Sequence, residues 1–279
     1  MRDRFVWCAM ALCLAPPAWS AETCRYVGTA SHAARMTVDT VASTVNGETM
    51  IDVTARIDAR SLGIISLRYL HQEISLWRGG ELRLAAVNHR YSLGGSIKRQ
   101  QWDVFTRGPD GMLAYRAQAK TLGDFQARHP RFVRHWETAS FGQPWLNEYA
   151  QAGAERRADL DLPGNAMPPG TGTPLAMAFH WVRWANPDGH AVPVFLPGFK
   201  HDARADLPVS LVAVEADGTR HVRLTARHPQ LSTAEPSTGD AWIDAHRRLL
   251  RVAFDAHTRQ GGARGMVDLE RCAGNPATP

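Results

Sequence analysis

Alternation of apolar and polar residues dominates the first half of the chain. In "TMIDVTARID", Ile51, Val53, Ala55 and Ile57 alternate with Asp52, Thr54, Arg56 and Asp58. A period of two marks strands in a sheet with one wet face. Hairpin signals separate such runs at Asn46-Gly47, Gly79-Gly80 and Pro109-Asp110-Gly111. The pattern predicts strands at about 33–45, 49–60, 65–78, 81–93, 97–107 and 112–119, preceded by a short strand at Cys24. Within 65–78 the phase slips from Ile65, Leu67 and Tyr69 to Leu70, Ile74 and Leu76, which predicts a β-bulge near Leu70. Consecutive hairpins make an antiparallel meander, and sheet twist makes it curl.

The pattern breaks from about 120 to 172, where Pro, Gly and aromatics crowd a segment too long for a simple connection. This is read as a packed crossing segment. A helix is predicted over 174–185: Thr173 suits the cap, Pro174 the first helical position, and Asn186-Pro187 the stop. Leu175, Phe179 and Val182 fall on one face, with Met177, Trp181 and Trp184 beside it. A helix apolar over so much of its circumference belongs inside something. Strands resume at about 191–197, 207–216, 219–227, 239–245, 248–257 and 263–271, with hairpin signals at Ala216-Asp217-Gly218 and Gly261-Gly262. The expected fold is mainly β. It is a long antiparallel meander of 12–13 strands, curled into a spiral or half-barrel around one central helix. It forms a single domain over 21–279, with an N-terminal meander at 24–120 and a C-terminal one at 191–272.

The N-terminus changes the setting. Residues 1–20 combine Arg2 and Arg4, an apolar run from Phe5 to Leu14, Pro16-Pro17 and the small residues Ala18-x-Ser20. That is the pattern of a signal peptide cut after Ser20, and it predicts a periplasmic, exported protein. The run is too short to cross a bilayer of roughly 30 Å, and no later segment is apolar for long enough. Cleavage removes Cys8 and Cys13 and leaves Cys24 and Cys272. In an oxidising compartment these two permit one intramolecular disulfide, which would clasp the first strand to the last; the alternative is two free thiols. The formal charge of +5 is dispersed, without a basic run, and does not point to nucleic acid.

Chemistry is sparse. The chain has no GxSxG, HExxH, SxxK or P-loop motif, and its 12 histidines form no HxH or HxxxH pair. No catalytic residue, cofactor or metal is assigned. Asp58 and Glu73 flank a turn and read as solvated charges. Trp136, Phe141, Trp145 and Tyr149 of the crossing segment, with Trp181 and Trp184 of the helix, form an aromatic set. They either line a pocket for an apolar ligand or fill the core.

"DLDLPGNAMPPGTGTPLAMAFHWVRWA", "VPVFLPG", "DAWIDAHRRLLRVAFDA" and the closing "ERC" resemble exported bacterial β-spiral proteins of the EipB type and related domains of unknown function. "IDARSLGIISLRYLHQEISLWRGGELRLAAVNHRYS" looks like the strand-turn-strand unit that opens such domains. The resemblance implies a periplasmic protein that supports cell-envelope integrity. The signal, the curled sheet and the aromatic middle point to a non-enzymatic factor that binds a lipid or an envelope protein. The alternatives are a ligand-free structural protein of the envelope and an enzyme with an unrecognised site.

Overall fold

In the computed structural model, residues 20–45, 47–61, 65–107, 113–119, 172–186, 188–195, 204–226, 236–258 and 261–274 are described. Seven strands come first: β1 (Ser20–Ala30), β2 (Ala34–Val45), β3 (Glu48–Ser61), β4 (Ile65–Arg78), β5 (Glu81–Leu93), β6 (Ser96–Arg107) and β7 (Leu113–Ala119). Helix α1 (Pro174–Phe179) follows. The second series is β8 (Asp188–Phe195), β9 (Arg204–Val214), β10 (Arg220–Ala226), β11 (Ser237–Ile243), β12 (Leu249–Thr258) and β13 (Gly261–Gly274). The chain is mainly β. All 13 strands form one sheet in the order β7-β6-β5-β4-β3-β2-β1-β13-β12-β11-β10-β9-β8. Every pairing between neighbours is antiparallel, and the sheet is not closed.

Two meanders therefore grow outward from a shared seam, β1 against β13. The cysteines lie directly opposite each other in that pairing. A disulfide joins Cys24 to Cys272, their Cα atoms 4.1 Å apart across 248 residues of chain. Gly28 allows the seam to close farther along, because a Cβ there would overlap the Met266 carbonyl. The Gly79-Gly80 hairpin forms as the sequence predicts, with φ of +58° and +74°.

Several boundaries differ from the sequence reading. The first strand is not short; it spans Ser20–Ala30. No bulge occurs at Leu70, since β3 and β4 stay in register from Glu48↔Arg78 to Ser61↔Ile65. The phase slip instead reflects burial, because Glu73 through Trp77 are covered on both faces of β4. The C-terminal meander starts at Asp188 rather than at 191. The helix is also shorter than 174–185: α1 ends at Phe179, and a 3₁₀ turn covers Trp181–Arg183. A continued α-helix would give the His180 carbonyl to the Trp184 N–H. Here that carbonyl accepts from Arg183 N and Nε at 3.3 and 3.2 Å, and Trp184 N turns to Trp181 O at 3.0 Å. The crossing segment before Gly172 and the signal-like residues before Ser20 lie outside the described residues.

Cross-strand pairing places Tyr26, Val38, Ala55, Val53 and Val87 on one face of the sheet. All are buried, and they join Ala176, Met177, Phe179 and Val182 of the helical segment in a single apolar core. Strands from the other meander, through Val209, Val222, Ala241 and Val252, belong to the same core. Burial of this kind contributes roughly 1.5–3 kcal/mol for each large side chain. It is the main term that holds the two meanders to the helix.

Candidate functional site

The helical segment is fixed at both ends by buried carboxylates, Glu73 and Glu22, of which the sequence reading took Glu73 as a solvated charge. Glu73, fully buried on β4, points at the start of α1. Its Oε2 accepts the N–H groups of Leu175 at 2.9 Å and Ala176 at 3.2 Å. The unsatisfied N–H groups and the positive end of a helix both favour a carboxylate there. The other oxygen, Oε1, meets His71 Nε2 at 2.8 Å. Glu73 is therefore a remote cap and not a solvated charge. Thr173, the residue at the cap position, makes no capping bond, because the Glu73 carboxylate already serves those donors. Asp58 is exposed as expected and lies on the opposite face of β3 from Val53, the partner of Glu73, so the two carboxylates form no pair.

The second anchor is Arg183, which is 2% exposed. Its Nη1 lies 2.8 and 2.7 Å from the two carboxylate oxygens of Glu22, itself buried on β1. Its Nη2 donates to His180 Nδ1 at 2.8 Å, and its guanidinium stacks on Trp184 at 4.5 Å. The Arg183 carbonyl accepts from Arg220 and Arg247 at 3.1 and 3.2 Å, which ties the second meander to the same turn. Glu22 is two residues from Cys24 and 3.7 Å from Cys272 Sγ. The clasp and the ion pair thus share one location at the seam.

These bonds settle the state of His180. A guanidinium only donates, so Nδ1 must accept and the ring proton sits on Nε2. Burial, and then the charge of Arg183, hold the His180 pKa well below its ordinary value, so the ring is neutral. Among the described residues, the Nε2–H has no hydrogen-bond partner, nor has the neighbouring Trp181 Nε1–H or the Thr173 hydroxyl. The Trp181 ring lies 4.7 Å from Trp77, 5.0 Å edge-on to His180 and 6.5 Å from Trp184. Two candidate ligand residues from the sequence, Trp181 and Trp184, are thereby brought together beside buried, unsatisfied donors. Trp136, Phe141, Trp145 and Tyr149 lie outside the described residues.

A second feature was not foreseen at all. Near the ends of β2 to β6 lies an open cleft of about 730 Å³. Five arginines line it (Arg35, Arg56, Arg60, Arg68 and Arg90), with Asp58 as the only carboxylate among the lining residues. The sequence scatters them over four strands, and only the hairpin registers gather them. A signal was present in the alternation Arg56-x-Asp58-x-Arg60, which puts all three on one face. The metal-ligating side chains that cluster among the described residues are Glu22, Cys24 and Cys272, which are already committed to the ion pair and the disulfide.

The molecule defined by these features is an open, 13-stranded antiparallel β-sheet protein with a buried helical segment. No family model matches the chain, and no curated protein matches it. Among solved structures it is similar to the crystal structure of a β-barrel-like protein of domain of unknown function DUF1849 from Brucella abortus. The two share 10% identity and a TM-score of 0.49, over 92% of this chain and 98% of that one.

Proposed function

We propose that this is an exported, non-enzymatic protein of the cell envelope that binds a lipid against the helical segment, within a sheet that curls around it. The observation carrying the reading is a pair of buried donors without a partner among the described residues, His180 Nε2–H and Trp181 Nε1–H, set among Trp77, Trp181 and Trp184. A buried donor left unmade costs about 1–3 kcal/mol. An ester or amide carbonyl of a lipid would satisfy it while the aromatic rings take the chain. Contacts of α1 with β3, β4, β8 and β12 support a sheet that wraps the helix from both meanders. The carboxylates nearest this place support binding over catalysis, because Glu73 and Glu22 are occupied by helix N–H groups and by Arg183. No described helix is long and apolar enough to cross a membrane.

Native mass spectrometry of protein purified gently from the periplasm is the test. The expected result is a bound lipid on the wild type and a several-fold lower occupancy on Trp181→Phe, which keeps an aromatic ring, though a smaller one, and removes the indole N–H. Protein that carries no lipid under these conditions, but captures an envelope protein, would replace this reading with that of a ligand-free shell working through its surface.

A further inference from the structure

The arginine cleft lies apart from the helical segment, and its geometry suggests a ligand of its own. Pairing sets Arg35, Asp58, Arg68 and Ser92 in one row across β2 to β5. The next row on the same face holds Arg56, Leu70 and Arg90. Adjacent strands are about 4.8 Å apart, so Arg35 and Arg68 stand on strands only roughly 10 Å apart. Two carboxylates offset part of this charge. Asp58 pairs with Arg68 at 3.2 Å, and Asp39 with Arg56 at 2.6 Å. Among the described residues, no carboxylate pairs with Arg35, Arg60 or Arg90. Like charges gathered in this way repel one another until an anion enters.

The rest of the cleft narrows the choice of anion. Guanidinium forks match phosphate oxygens in pairs. The volume is that of a small-molecule site and exceeds the needs of a simple ion. The lining is also amphipathic. Leu70 sits directly between Arg56 and Arg90, Leu67 lines the same space, and Ile97 stands 54% exposed beside them. Free phosphate or a soluble phosphate ester offers nothing to these apolar groups, whereas a phospholipid brings acyl carbons next to its phosphate. We propose that this cleft binds the phosphate headgroup of an anionic lipid at a membrane surface, independently of any ligand held at the helical segment.

The experiment is co-sedimentation of the full mature chain with vesicles of phosphatidylcholine alone and of phosphatidylcholine mixed with phosphatidylglycerol. Each basic residue near an anionic surface contributes roughly a fivefold factor. Removing two should therefore weaken binding to the mixed vesicles by about twenty-five-fold. Arg60→Gln/Arg90→Gln is the main variant, and Arg35→Gln/Arg60→Gln is a second that leaves the partly buried Arg90 in place. Ile97→Ser should weaken vesicle binding yet leave competition by glycerol phosphate unchanged. Equal binding to both vesicle types overturns the proposal, as does unchanged affinity in both arginine variants while their melting temperatures match the wild type. Full displacement by millimolar inorganic phosphate also overturns it, in favour of a site for a soluble phosphate ester. A lack of bound lipid in native mass spectrometry alone bears on the helical-segment site and not on this one.

Discussion

Replacing Glu22 by glutamine removes the negative member of an ion pair in which both side chains are almost wholly shielded from water. The pair is made at 2.7–2.8 Å, and a guanidinium as a class cannot be neutralised by losing a proton in a protein. An uncompensated buried charge of this kind costs about 3–5 kcal/mol. Arg183 would retain His180 Nδ1, the His180 carbonyl and the face of Trp184, so the lower end, about 3 kcal/mol, is expected. Arg183→Met should cost a similar amount, because it strands the Glu22 carboxylate instead. The double variant Glu22→Gln/Arg183→Met leaves no buried charge and a side chain of comparable length. Replacing a buried pair by apolar groups is often neutral, but here the new glutamine amide and His180 Nδ1 lose their partners, so the double variant should lose about 2–3 kcal/mol, well below the sum of the two single losses. Urea unfolding followed by tryptophan fluorescence reads this cycle directly, since Trp181 and Trp184 flank Arg183. The expected signature is a coupling of several kcal/mol between the two sites. Additive losses, or a loss below about 1 kcal/mol for Glu22→Gln, would refute the claim that this pair anchors the helical segment.

Three further outcomes follow from the seam and its surroundings. Cys24→Ser should cost about 2–5 kcal/mol while the far-ultraviolet spectrum stays that of a sheet, and reduction of the wild type should reproduce the loss. A wild-type urea midpoint for the variant would show the bridge to be dispensable. Gly28→Val must push β1 away from the Met266 carbonyl, so it should lower the urea midpoint and raise the rate at which a reducing agent opens the disulfide. Unchanged values for both would mean that the seam is looser than its pairing implies. Burial raises the Asp52 carboxyl to about 6, against hydrogen bonds from Gln72 and Thr54. Because this folded value lies above the unfolded one, the ionised group destabilises the protein progressively as pH climbs from about 4 to about 6, and fully above that. Asp52→Asn should therefore gain roughly 2–3 kcal/mol over the wild type at pH 7.5 and nothing near pH 3.5. Denaturant curves at the two pH values check it, and an equal gain at both would contradict the assignment to ionisation.

Strand positions were legible because period two and turn dipeptides are local. β4, for example, runs from Ile65 to Arg78 in both the reading and the structure. Local pattern fails where burial depends on distant chain. Glu73 and Asp58 are both acidic residues near one turn, yet one is enclosed by a helix about a hundred residues away and the other faces solvent. The broken helix was hidden for a similar reason. Nothing near His180 reveals that Arg183 will reach Glu22, 161 residues upstream. The arginine cleft lies between these cases. Its residues alternate on the wet faces, but only the hairpin registers show that Arg35, Asp58, Arg68 and Ser92 fall in one row. Dispersed charge along the chain is thus compatible with concentrated charge in space.

The pairing of β1 with β13 also bears on the order of assembly. Hairpins within each meander can close as soon as their strands emerge. The central strand of the sheet, however, cannot acquire its second neighbour until the last strand has been delivered, and the enclosing loop spans 248 residues. Such long-range pairing is slow, because loop closure precedes any return in contacts. Until then β1 presents a bare edge, open to wrong partners. A chain synthesised or threaded from its N-terminus would therefore wait longest for the contact at its centre. A helper that shields β1, or an oxidant that captures the first correct encounter of the two cysteines, would act at the slowest step.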